Sequence, residues 1–449
     1  MRPRPLLEKL EDRILLTAEP SVSIEGPEGG VVELGEQNVP FTITLDNSSP
    51  TDVGFAPFIN VLLPTNGADG VDPAEIDDGV TFDSATFLDT PIVPVTLVFD
   101  ENGEAVHPLA VDANGDPLII TGVEGDTLLV FALPFGPFAP DQAPVEIELL
   151  LDFSPLADID QALTIEAVGG FQLGNDELDN PDVDPSIIGD AAVATTDVTP
   201  AVLIVEKVND GPESETATGP NFPRTWTINV EVAAGQSLTD VVVTDLLPTN
   251  IHYLGNLQVT GASAFTVISE PTVGQVVQPG DNTLVIEFDE VNGDDNVAGA
   301  TDVQITFDYF VDLLAADGSN VIDPVTGDDA AANNDVSVAG DFTPLDPRDD
   351  PVRLVSDDVA IDDTLELKSI ATQKSFVISD DQNVAGPTPG DTLTFTLDVQ
   401  VSDFFTMADI TLTDVLGDGL EFAGNVQFTI NEADGDNIAL TAFDPAALT

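Results

Sequence analysis

The chain has 449 residues, which suits two to four domains at roughly 100–200 residues each. Its 10 basic residues stand against 82 acidic ones, a formal charge of −72 at pH 7. A body this acidic repels phosphate backbones and anionic lipid surfaces, so nucleic-acid binding is excluded: counterion release needs cationic contacts.

The field of such a surface has to be screened by salt or by bound divalent cations. This points to a saline or calcium-rich exterior, with a halophile cytosol as the alternative. The absence of cysteine removes disulfides, thiolate catalysis and cysteine-based zinc or iron–sulfur sites. No window approaches the roughly 18 apolar residues of a membrane span, and no apolar core follows a basic start as in a standard secretory signal. The apolar fraction of 42% is enough to build cores.

The chain opens on "LLEKLEDRILLTAEP", within which Leu6, Leu7, Leu10 and Ile14 share one face of a helix predicted over 5–16. Pro5 suits its first turn. Arg2, Arg4, Lys9 and Arg13 place four of the ten bases here. The run Leu10, Glu11, Asp12, Arg13, Ile14, Leu15, Leu16 resembles the "LEPR-x-LL" motif of very large, repetitive bacterial surface proteins, with Asp12 where that family has Pro. The resemblance implies export or surface sorting for residues 1–20 and no chemistry of its own.

Beyond it the pattern is all-β. "PFTITLDN" alternates Phe41, Ile43 and Leu45 against polar partners, as do Val145, Ile147, Leu149, Leu151 and Phe153. Period-two alternation with β-branched and aromatic residues marks half-buried antiparallel strands. Between these strands, residues 66–118 read as an insertion, and its "FDENGEAV" and "VDANGDPL" carry Asn-Gly, the type I′ hairpin signal. Asp112, Asn114 and Asp116 offer alternate oxygens around a Gly turn, a donor set that suits Ca²⁺. Asp289, Asp294 and Asp295 do the same in "DEVNGDD", and Asp434 to Asn437 is a weaker third case. Calcium is the one cofactor this composition supports, and the alternative for each single stretch is a solvated acidic hairpin.

The strand "TWTINVEV" buries Trp226, Ile228, Val230 and Val232 on one face. After it, "LTDVVVTDLLPTNIHYLGNLQVT" (238–260) lies without gaps on "MADITLTDVLGDGLEFAGNVQFT" (407–429), an offset of 169 from Asp240 to Asp409. The same offset puts Trp226 on Phe395. A weaker copy starts the chain, where Phe41 precedes "NVLLP" (60–64) much as Trp226 precedes "TDLLP" (244–248). The expected organisation is three units: 21–200 with a hairpin insertion, 201–370, and 371–449, the last lacking the closing strands that the second has at 303–340. A fragment of a longer chain is expected.

The stretches 225–256 and 389–422 resemble the conserved repeat domain of unknown function found in large bacterial and archaeal surface proteins. Gly390, Asp391, Thr394, Thr396, Thr413 and Asp414 match its pattern, and Asp245 and Pro248 keep its corner. The resemblance implies tandem immunoglobulin-like antiparallel β-sandwiches that space or display something on a cell exterior.

One trio carries possible covalent chemistry. Lys207 shares a strand face with Leu203 and Val205, Asp245 follows Val241 and Val243, and Asn334 precedes Val336 and Val338. If buried together, they resemble the Lys–Asn isopeptide sites of sandwich domains in bacterial surface proteins, in which an acid promotes amide formation by a neutral Lys. The bland alternative is a snorkelling lysine. His107 and His252, each beside a predicted turn, read as surface residues. No P-loop, dinucleotide fingerprint or nucleophile elbow occurs.

The expected function is therefore a non-catalytic, acidic, secreted or surface-attached spacer or adhesin-like scaffold, with an unknown extracellular or matrix partner. The alternative is the N-terminal, non-catalytic part of a polysaccharide-active enzyme, or a carbohydrate-binding protein.

Overall fold

A computed structural model describes residues 18–68, 78–175, 186–189, 193–262, 264–293, 301–323, 330–346, 348–357, 364–381, 386–417, 419–424, 426–427 and 429. The helix expected over 5–16 lies outside them, as do Leu10, Glu11, Arg13, Leu15 and Leu16. The described chain is all-β: antiparallel sheets paired into immunoglobulin-like sandwiches.

In the first sandwich one sheet orders Pro20–Glu25, Val39–Asn47, Val145–Phe153, Val80–Phe87 and Thr90–Pro91. The facing sheet runs Val31–Glu33, Ala194–Ala201, Leu163–Phe171, Pro57–Leu63, Thr127–Ala132 and Val95–Val98. Alternation in the sequence does what it predicts: Phe41, Ile43, Leu45, Ile147, Leu149 and Leu151 are all buried between the sheets.

The second sandwich repeats this plan, with fewer strands in the facing sheet. Leu203–Asn209, Arg224–Val232, Val303–Val311, Ile251–Thr260 and Gln275–Val276 form one sheet. Thr266–Ser269, Thr283–Asn292, Ser237–Leu246, Asp335–Phe342 and Val352–Asp357 form the other. One apolar core runs continuously through both sandwiches.

The repeated letters have backbone causes. Asp240 and Asp409 both have positive φ, 49° and 56°. At Asp240 the ladder skips register between Thr239 and Val242, a bulge that needs a residue tolerant of the left-handed region. In the third copy, Ile370–Asp380 pairs with Thr392–Val401. Residues after 401, which align with Ser237–Leu246 and Ile251–Thr260, contain no strand among those described. Ser237–Leu246 is hydrogen-bonded on both sides, to Thr283–Asn292 and to Asp335–Phe342. Among the described residues the third copy has neither neighbour, and an extended segment without a ladder partner is not a strand.

The insertion differs from expectation in two ways. The two Asn-Gly turns are not type I′, because at each of them the glycine, Gly103 or Gly115, has positive φ while the asparagine before it does not. Asp100 and Asp112 instead accept the N–H groups two and four residues ahead, which builds a longer loop with glycine at the left-handed position. The hairpin of Glu104–Val111 and Pro117–Thr121 also covers the outer face of its sheet, making a second small core from Phe58, Phe99, Ala105, Ala110, Leu128 and Val130. His107, expected at the surface, is buried in this core against Phe58.

Candidate cross-linking site

Lys207 sits in the Leu203–Asn209 edge strand, directly opposite Ile228. Asp245 lies in the facing sheet, opposite Leu284 on one side and Val336 on the other. Asn334 stands just before Asp335–Phe342, two residues ahead of Val336. Period-two alternation therefore aims all three side chains into the space between the sheets.

There Lys207 Nζ donates to Asp245 Oδ1 at 2.7 Å, with both side chains 0% exposed. The ammonium also lies 5.1 Å from the Trp226 ring centre and 5.6 Å from that of Phe307. Trp226 in turn stacks on Tyr309 at 3.8 Å. The lysine is thus held in an aromatic box, a feature the sequence signalled only through the Trp226 and Phe307 strand faces.

Asn334 is fully buried, and neither Oδ1 nor Nδ2 completes a hydrogen bond of ordinary geometry. Asp245 Oδ2 is in the same condition. Burial pushes the Asp245 carboxyl above its usual range, against the opposing pull of Lys207 and of the nearby Asn334 amide. Buried polar groups are almost always satisfied, so three orphan atoms on two adjacent side chains mark an unusual site. Moving the shared proton from Lys207 to Asp245 replaces a dry ion pair by two neutral groups, and a low-dielectric interior favours that exchange. After such an exchange the site would hold a neutral amine beside an amide carbonyl and a carboxylic acid.

The first sandwich holds the same positions with apolar residues. Ile24 faces Ile43 as Lys207 faces Ile228, Val61 faces Ala167 as Asp245 faces Val336, and Ile165 stands where Asn334 does. Val61 and Ile165 are fully buried and Ile24 packs on the core.

The acidic candidates are arranged differently. Asp112 Oδ1 accepts the N–H groups of Asn114 (2.8 Å) and Asp116 (3.0 Å), and Oδ2 accepts from Asn114 Nδ2 at 3.0 Å. These bonds hold the Asp112 carboxyl below its usual range. Asp289 is exposed on Thr283–Asn292, while Asp294, Asp295 and the 434–437 stretch lie outside the described residues. Among the described residues no three His, Asp or Glu side chains converge as a metal site. His252 pairs with Asp312 at 3.1 Å and stacks on Phe310. No described helix is long and apolar enough to cross a membrane.

No protein-family model matches the chain, and no curated protein matches its sequence. Solved structures do match. One is a putative membrane-anchored protein from Corynebacterium diphtheriae, at 8% identity and TM-score 0.24, over 78% of this chain and 95% of that one. Another is the full-length major pilin SpaD of the same organism, at 13% identity and TM-score 0.23, over 74% and 63%. A third is the collagen adhesin CNA from S. aureus, at 9% identity and TM-score 0.18, over 86% and 96%. The likeness is one of β-sheet class and carries no residue, ligand or role to this chain.

Proposed function

We propose that the chain is a non-catalytic scaffold of a bacterial cell exterior, a row of acidic sandwiches whose second member is locked by an isopeptide bond between Lys207 and Asn334. The observation that carries this is the dry Lys207–Asp245 contact beside an amide with no partner of its own. Neutral Lys207 Nζ attacks Asn334 Cγ while the Asp245 carboxylic acid donates to the amide oxygen. A new C–N bond forms, the old bond to Nδ2 breaks, and Asp245 relays the proton that lets ammonia leave.

The bond would join the first strand of the sandwich to its penultimate one. Tension entering at Lys207 would leave at Asn334 without loading the strands between, which suits a spacer or stalk. Charge supports the exterior: a surface at −72 stays soluble and extended where salt or divalent ions screen it. Calcium belongs to this reading on charge alone, as a counterion at acidic hairpins such as Asp112 to Asp116.

A carbohydrate-binding reading is weaker. It wants exposed aromatic platforms, and Trp226, Tyr253 and Tyr309 are all fully buried. The deciding experiment is the intact mass of the purified chain. A deficit of about 17 Da, the mass of one ammonia, mapped by fragmentation to a Lys207–Asn334 branched peptide, is the expected result. Full mass with both side chains free overturns the reading.

A further inference from the structure

The first sandwich has no means of closing itself covalently. Between Arg13 and Lys207 the sequence contains no lysine or arginine, and the chain contains no cysteine. A lysine amide and a disulfide are therefore both ruled out within it, and Ile24, Val61 and Ile165 fill the places of the trio. The third copy, by contrast, keeps a lysine on an acid. Lys374 Nζ donates to Asp414 Oδ1 at 2.6 Å, with side chains 36% and 24% exposed. Lys374 faces Leu397 across its strand pair as Lys207 faces Ile228.

The strands set how tension would cross the first sandwich. Pro20–Glu25 pairs along its length with Val39–Asn47. Ala194–Ala201 runs antiparallel to Leu163–Phe171 and leaves parallel to Val31–Glu33, from Thr199 opposite Val31 to Ala201 opposite Glu33. Pulling Pro20 away from Ala201 drags the entering and leaving strands along their axes in opposite directions, so their ladders carry the load in shear. Val202 alone separates Ala201 from Leu203, where the second sandwich begins. Ala201 O accepts the Leu34 N–H and Val202 O accepts the Ala233 N–H, both at 2.8 Å. The junction is thus bonded to both sandwiches, and load leaving the first passes straight onto the strand that carries Lys207.

Charge weakens the first sandwich further. Its carboxylates have no lysine or arginine of their own, and Arg348, which reaches Asp78, comes from the second sandwich. Like charges push the closed body apart, and less so when salt screens them.

We propose that the first sandwich is the extensible member of the row: under tension it opens as a unit at a force set by ionic strength and closes again on relaxation, while the second keeps its length. This rests on the Lys207–Asn334 reading, in which the amide routes tension past residues 208–333. The first sandwich needs no covalent step to reach its closed state, so refolding alone restores it. Its opening releases about 60 nm of chain at ~3.5 Å per residue.

The test stretches and relaxes the full chain by its two ends in single-molecule pulling, with intact mass measured alongside. The expected record has a step of about 60 nm, recovered after each relaxation and moved to higher force by added NaCl. Combining Lys207→Ile, Asp245→Val and Asn334→Ile removes the lock and should add a step of about 50 nm from the second sandwich. Suppose instead that the chain has lost its ammonia yet lacks the longer step, shows it only once, or opens at a force indifferent to salt. Any of these overturns the extensible first sandwich and leaves the lock standing. A parent chain of full mass in which both sandwiches open overturns the lock and, with it, the division of roles.

Discussion

Asp245 receives the Lys207 ammonium across the sandwich at 2.7 Å, from the opposite sheet and without exposure of either side chain. Removing one partner leaves the other buried and uncompensated. Asp245→Ala is expected to abolish the ammonia loss and to lower stability by about 3–5 kcal/mol, the usual cost of breaking a buried pair. The first sandwich supplies the control. Combining Lys207→Ile, Asp245→Val and Asn334→Ile copies its Ile24, Val61 and Ile165, and should give a folded chain of full mass that unfolds more readily under force than the parent. Intact mass, chemical denaturation and single-molecule pulling check the set.

His107 provides a pH signature. Its Nδ1 accepts the N–H groups of Leu109 (3.1 Å) and Ala110 (2.7 Å), and Nε2 bonds Asn60 Oδ1 at 2.9 Å, so the ring is neutral. Burial pushes its pKa down to about 4. The unfolded chain takes up that proton near pH 6.5, and the folded chain refuses it until about pH 4. Stability from this group is therefore complete above pH 6.5 and falls as the pH drops toward 4, by about 3 kcal/mol at the limit. The difference in Tm between the parent and His107→Gln, followed from pH 7 to 4.5, should shrink on acidification. A constant difference would remove the histidine from the acid response.

Arg348 ties the two sandwiches together. Its guanidinium reaches Asp346 beside it and Asp78 of the first sandwich, two carboxylates that are nearly buried. It holds the Asp346 carboxyl below its usual range, so this contribution is present at neutral pH and lost as the pH falls through that lowered value. Arg348→Ala should cost about 1–3 kcal/mol and raise hydrogen exchange at the facing Leu34 and Phe342 backbones while leaving the Lys207 site unchanged.

Gly219 guards the second junction. Its φ is 126°, and a Cβ there would meet Asp403 Oδ2 at 2.3 Å. Asp403 accepts from the Asn221 backbone and side chain, both at 2.9 Å, beside a buried Thr218–Ser402 hydroxyl contact at 2.6 Å. Gly219→Ala is expected to combine backbone strain with a displaced Asp403, at about 1–3 kcal/mol. Faster exchange in the Ile370–Asp380 and Thr392–Val401 hairpin would report it.

The charge predicts a salt response. Raising NaCl from low ionic strength should raise Tm, since screening relieves self-repulsion of the folded body. Calcium's share is read separately: at fixed low ionic strength, chelation should lower Tm, and an unchanged Tm removes calcium from the proposed function.

Much of this molecule was legible in its residues. Alternation marked Phe41 to Leu45 and Trp226 to Val232 as sandwich strands because a pleated strand has a fixed period of two, whatever packs against it. The internal repeat was legible because bulges and turns constrain letters locally, as Asp240 and Asp409 show with their shared positive φ. His107 was misread as a surface residue because its burial comes from a hairpin folding back over a sheet far away in sequence.

The sequence by itself determined the charge, the strand grammar and the presence of a Lys, an Asp and an Asn on inward faces. Only the tertiary structure decided that Lys207, Asp245 and Asn334 share one dry space, and that Lys374 and Asp414 share a half-covered one. Facing is a property of one strand, but meeting depends on register between strands and on what lies over them. Loop length shifts the sequence offset by two residues between Lys207 and Lys374, while strand pairing returns both to the same place.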